Sequence, residues 1–216
     1  MNTNENKTNQ LFIRVLSVLF PCVLFVFICS CDKSERIGSI LPNVSCLKEG
    51  DVVFRLGVGF MSRTVLEFDN NGLYSHVGIV VDSAGYKMVV HAVPNEHDSD
   101  DDVDRVRMDT PEKFFGIDRA SVGEVRRCVD SVAAVRASVY ALKLYKRGIL
   151  FDHSYDINDS TRMYCTELVN FAYSKAGLPL FTGKQHFLGI QIADIDSCVF
   201  PSDLYASDKL VLINKF

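Results

Sequence analysis

The chain has 216 residues, a formal net charge of −4 and a pI near 5.7, and no long cluster of Lys and Arg. This charge balance argues against nucleic acid as a partner. The length left after a leader is enough for one domain with a sizeable core.

The first 31 residues read as an address. Lys7 and Arg14 precede an apolar run from Val15 to Cys29, followed by the small residue Ser30 and then Cys31. The run is short for a membrane span and fits a secretory signal. Its end, Ile28-Cys29-Ser30-Cys31, resembles the lipobox of bacterial lipoproteins, which would make Cys31 the lipidated first residue. The expected location is then the bacterial cell envelope, with the membrane reached through the N-terminal lipid; an uncleaved N-terminal anchor is the alternative. Residues 32–46 read as a polar tether and 47–216 as the domain. Cys46, Cys128, Cys165 and Cys198 remain in the mature region, and spacing does not choose a disulfide among them.

Gly50-Asp51 leads into a strand at Val52-Val53-Phe54, and Phe60 to Phe68 suits a short helix before a turn at Asn70-Asn71-Gly72. Ser75 to Val81 and Lys87 to Val93 are β-branched runs joined by Ser83-Ala84-Gly85-Tyr86, the clearest hairpin in the chain. From Glu96 to Asp104 aspartates dominate, which predicts a solvated loop. A strand over Val122–Arg127 precedes a helix capped by Asp130 and stopped at Gly148, with Val132, Val135, Val139 and Leu142 as its expected apolar face. A second helix is predicted from about Tyr164 to Ala176, ended by Gly177 and Pro179. Leu210 to Ile213 reads as a last strand. This mixture indicates an α+β domain.

The hairpin carries the first chemical signal. An even-length turn sets His91 opposite Gly78 and His76 opposite Val93, so both imidazoles point to one side of the sheet, about 5 to 8 Å apart at the backbone. Two histidines in a hairpin are also ordinary core residues. Cys165 adds weight because it starts a helix whose orphan amides and dipole favour a thiolate. Leu168, Val169, Ala172 and Ala176 follow at helical spacing as the packed face. A thiol at a helix start and a base on the facing sheet are the minimal parts for cysteine acyl transfer.

YSHVGIV at Tyr74–Val80, VVHAV at Val89–Val93 and YCTELV at Tyr164–Val169, in this order, resemble the permuted papain-like amidases, the YaeF/YiiX-like branch of the NlpC superfamily. LKEGDVVF at Leu47–Phe54 and FPSDL at Phe200–Leu204 are similar to segments near the two ends of that branch. The resemblance implies a circularly permuted papain-like fold, an antiparallel sheet packed on a nucleophile-bearing helix. It implies Cys165 as nucleophile, His76 as general base and His91 as orienting residue, at a position where many relatives carry glutamate. A neutral imidazole there supports an imidazolium less well than a carboxylate. Tyr74, Tyr164 and Asp152 are candidates for lining the cleft or assisting an oxyanion, alongside the backbone N–H of Cys165. Rim packing for the tyrosines and loop capping for Asp152 are the plainer roles. Glu167 falls off the face of Cys165, and His97, His153 and His186 match no motif.

The activity implied is thioester-based hydrolysis of an amide or peptide, with cell-wall fragments as the first substrate to try. No cofactor or metal is required by this reaction; two histidines and one cysteine could bind zinc, but the paired-cysteine and HExxH signatures are lacking, and a monomer is expected. The alternatives are a lecithin retinol acyltransferase-like lipid acyltransferase or thioesterase, and a catalytically silent binding lipoprotein. A reactive Cys165 is expected to label at mildly acidic pH, well ahead of Cys46, Cys128 and Cys198.

Overall fold

The computed structural model describes residues 38–216, except 70–71, 97–98, 100–101, 157–158, 160 and 193–194 and the side chains of 187–196. The signal, Cys31, Asn70, Asn71 and His97 therefore lie outside the described residues.

Strands β1 (Val52–Gly57), β2 (His76–Ser83) and β3 (Tyr86–Val93) form the centre of an eight-stranded sheet. Strands β4 (Arg105–Asp109), β5 (Ala120–Cys128), the two-residue β6 (Leu150–Phe151) and β7 (Arg162–Met163), and β10 (Leu210–Lys215) complete the order β10-β5-β1-β2-β3-β4-β6-β7. Among the described residues, only β6 and β7 pair in parallel. β8 (His186–Ile192) and β9 (Ile195–Cys198) make a separate hairpin, and the helices are α1 (Phe60–Phe68), α2 (Pro111–Phe114), α3 (Ser131–Lys146), α4 (Cys165–Lys175) and α5 (Pro201–Tyr205). The domain is a mixed α+β fold.

The β2–β3 hairpin has the expected register, from Gly78↔His91 to Ser83↔Tyr86. Its two-residue turn takes positive φ at both Ala84 (55°) and Gly85 (86°), the twist that suits a tight hairpin. Strand alternation then sorts side chains into two layers. Val52, Phe54, Val77, Ile79 and Val90 face the core covered by α3 and α4, whereas Val53, Val80 and Val89 pack with Phe114 and Phe115 on the other side.

Three expectations are corrected. Residues from Gly38 onward are not a free tether, because Leu41 is buried against the second core and the Ile40 N–H donates to Phe115 O at 3.0 Å. The described acids of the Glu96–Asp104 stretch are not simply solvated, since Glu96 pairs with Arg55 and Arg119, and Asp102 with Arg105 and Arg107. Helix α3 is capped by the Asp130 carboxylate, which accepts from the Val132 and Ala133 amides at 2.9 and 3.0 Å. It turns the opposite face inward, though, burying Ala133, Ala134, Ala137, Ala141 and Leu144 and exposing Val132, Val135 and Val139. The reason is close approach: a Cβ on Gly50 would lie 2.3 Å from Ala134 O, so only small residues fit that seam. Helix α4 buries Leu168, Val169 and Ala172 as its spacing predicts.

Ala141→Leu should therefore cost about 1–3 kcal/mol by overpacking, whereas Val139→Ala should stay within about 0.5 kcal/mol. Urea denaturation of both variants reads this; equal losses would place the valine face inside.

Candidate active site

The cleft of interest holds about 500 Å³ at the end of the sheet where β2 begins. Its walls bring together the start of α4 (Cys165), the start of β2 (His76), the end of β1 (Arg55) and the apolar edge of α1 (Phe60, Met61, Val65). Thiol and imidazole reach it from different layers. His76 and His91 lie on the α2 side of the sheet, with the Phe114 ring 5.7 and 5.1 Å from theirs, while Cys165 packs with the α3–α4 core. Among the described residues no hydrogen bond joins the thiol to His76, although both line the cleft.

Behind His76 runs a buried chain of ring nitrogens. His76 Nε2 lies 2.9 Å from His91 Nδ1, and His91 Nε2 lies 3.1 Å from Asp109 Oδ2. Burial works against charge on Asp109, but His91 and Lys113 outweigh it and hold the carboxyl below the usual carboxylate range. An ionised carboxylate only accepts, so His91 donates from Nε2 and, being neutral, presents a lone pair at Nδ1. His76 must then donate from Nε2, which leaves its Nδ1 unprotonated. Asp109 therefore selects the basic tautomer of His76 through an intervening ring. Gly78 makes room for this, since a Cβ there would meet Val89 Cγ1 at 2.7 Å and His91 Cβ at 3.2 Å.

Charge at the site is set by Arg55, which stands directly across β1–β2 from His76 and is 2% exposed. Its Nη1 donates to Phe114 O at 2.7 Å, its guanidinium lies over the Phe114 ring, and it pairs with Glu96. Burial, the Arg55 charge and His91 hold His76 well below 6.5, so the imidazole is neutral at neutral pH. Burial likewise lowers His91, opposed by Asp109. For Cys165 the outcome departs from the sequence expectation. Burial pushes the thiol up to about 11, against the backbone amides of Val77 and Thr166 and the charge of Arg55. Desolvation outweighs the helix start, and the resting pair is thiol and imidazole.

The other candidates separate. Tyr74 is buried away from the cleft, its hydroxyl donating to Glu124 Oε2 at 2.6 Å, so it neither lines the cleft nor serves an oxyanion. Tyr164 does line the cleft, with its hydroxyl accepting from the Val199 N–H at 3.1 Å. Asp152 is fully buried and its Oδ1 accepts from the Ser154 N–H and hydroxyl at 2.9 and 2.7 Å, a loop-capping role rather than a cleft one. Glu167 is half-buried, and burial first, then nearby Asp152, raises it to about 8. His153 and His186 pair with Asp104 and Asp203 at 3.0 and 2.8 Å. Sequence reasoning missed Arg55, Asp109, Cys198 and Tyr155. Cys198 is a second free thiol in the cleft, and Tyr155 is held there at a φ of 57°. The alternation Arg105-Val106-Arg107-Met108-Asp109 was the available signal for β4.

No family model matches the chain, and no curated protein matches it. Among solved structures, the fold is similar to the crystal structure of metalloprotein YiiX from Escherichia coli O157:H7, with a TM-score of 0.61 and 19% identity. The match covers 78% of this chain and 97% of that one. The likeness is one of fold.

Two pH dependences follow. Alkylation of Cys165 by iodoacetamide, read by peptide mass spectrometry, should be slow at neutral pH and rise steeply into the alkaline range; a rate already flat on the acid side would mean a resting thiolate. His76 and His91 have folded pKa values below 6.5, so their neutral burial stabilises the domain fully above that pH and loses its contribution as pH falls through the lowered values. The melting temperature should drop on acidification from neutral to about pH 5, and less so in His76→Gln.

Proposed function

We propose that this protein is a cysteine-dependent amidase or peptidase of circularly permuted papain-like architecture. The observation that carries the reading is the His76–His91–Asp109 chain, which leaves an unprotonated nitrogen on His76, a residue that lines the same cleft as Cys165. As substrate binds, His76 Nδ1 takes the thiol proton and the sulfur attacks the carbonyl carbon. The Cys165 N–H, at the start of α4, is the proposed donor to the oxyanion. The imidazolium returns its proton to the departing amine, leaving a thioester; water, deprotonated by His76, then releases the acid and the thiol. Asp109 supports the transient imidazolium through His91, and Arg55 favours the developing thiolate.

The YiiX structure is titled a metalloprotein. In this chain three of the four ring nitrogens of His76 and His91 are engaged with each other and with Asp109, leaving His76 Nδ1 alone as a free lone-pair donor. Among the described residues, no group of three or more His, Cys, Asp or Glu is placed to hold an ion. The donor set does not fit a metal, and the proposed steps use none.

Envelope location through a lipid on Cys31, and hence cell-wall peptides as first substrate, form part of this proposal. A second reading, acyl transfer or thioester cleavage on lipids, is favoured by the apolar cleft wall of Phe60, Met61 and Val65.

Product analysis with wall peptides and with phospholipids separates the two. Cys165→Ala should abolish turnover with the fold intact, and Asp109→Ala should lower kcat by roughly a hundredfold with little change in KM. Full activity in Cys165→Ala would overturn the mechanism, and turnover of neither substrate class would leave a binding protein.

A further inference from the structure

Helix α3 carries a surface that the proposed chemistry does not use. Its outward residues Val132, Val135, Arg136, Val139, Lys143, Lys146 and Arg147 recur at three- and four-residue steps, which puts them on one face. Val132, Val135 and Val139 are 59%, 45% and 45% exposed, and Val129, just before the helix, is 64% exposed. All four cations are exposed. Among the described residues none of them is in an ion pair. From Ser131 to Ile149 there is no Asp or Glu, in a chain whose net charge is −4.

Elsewhere in the domain most of the arginines find partners. Arg55, Arg105, Arg107, Arg119, Arg126 and Arg127 all pair with carboxylates. The α3 face thus concentrates unpaired positive charge among exposed valines. A mixed surface of this kind matches an anionic lipid headgroup layer, with cations at the phosphates and small apolar side chains at the edge of the acyl region. Self-association across a two-fold axis fits it less well, because such an interface sets the same patch of cations against itself.

We propose that the outer face of α3 is a docking surface for an anionic membrane. It holds the domain against the bilayer independently of whatever the N-terminal segment does. Each Lys or Arg near such a surface is worth roughly a fivefold change in partitioning, and the attraction is screened by salt.

The test uses the full chain and flotation with vesicles of phosphatidylcholine alone or mixed with phosphatidylglycerol. The N-terminal segment is common to both proteins and cancels when the wild type is compared with a variant carrying R136E, K143E and K146E. The wild type should favour the anionic vesicles, and the variant should lose on the order of a hundredfold of that preference. Binding to neutral vesicles and the thermal melt should stay the same, and high salt should remove the wild-type preference. Equal anionic preference in wild type and variant overturns the proposal. So does a wild-type dimer, seen by sedimentation, that the same substitutions dissolve without changing vesicle binding.

Discussion

A buried carboxylate two strands away from the cleft governs the proton at its wall. Asp109 lies 3.1 Å from one nitrogen of His91, whose other nitrogen lies 2.9 Å from His76. Because an ionised carboxylate can only accept, every proton in the chain has one position, and the free lone pair emerges at His76 Nδ1. The carboxylate acts on His76 from one imidazole away. It depends on strand register, because His76, His91 and Asp109 must share one face across three neighbouring strands, and on Gly78, whose missing side chain leaves the space between them.

Arg55 and Asp109 act on His91 from opposite directions. Arg55 disfavours a protonated His76 and favours a charged Cys165, whereas Asp109 supports imidazolium through His91. At rest, desolvation outweighs both and leaves two neutral groups. In the proposed mechanism, a neutral pair separates charge only when a substrate carbonyl accepts the sulfur, which would tie proton transfer to productive binding. Glu96 and Arg119 complete the network around Arg55, so the acidic stretch that looks like a solvated loop is part of the electrostatics of the cleft.

The parts of this architecture legible in the sequence are those carried by local pattern. The hairpin turn, its register, the shared face of the two histidines and the helix starting at Cys165 follow from β-branched runs, Gly85 and helical spacing. The inward face of α3 was not legible, because hydrophobicity favours valine while the seam beside Gly50 selects for size. Asp109 was hidden for another reason: Asp-Thr-Pro at a strand end looks like turn chemistry, and only the pairing of β3 with β4 turns it toward His91. The thiol was misjudged because helix-start amides are visible in a sequence and the degree of desolvation is not.

The ladder between β10 and β5 shifts register between Leu212 and Asn214. β10 is the outermost strand on its side, and Val211 and Leu212 are 46% and 56% exposed there. An unbroken apolar border of this length would invite a foreign strand to add on. The irregularity, followed by Lys215, spoils the straight row of amides and carbonyls such an addition needs. The opposite border ends in the two-residue β7, too short to template pairing. Both rims of the sheet are thereby blunted against the edge-to-edge growth that leads to aggregates.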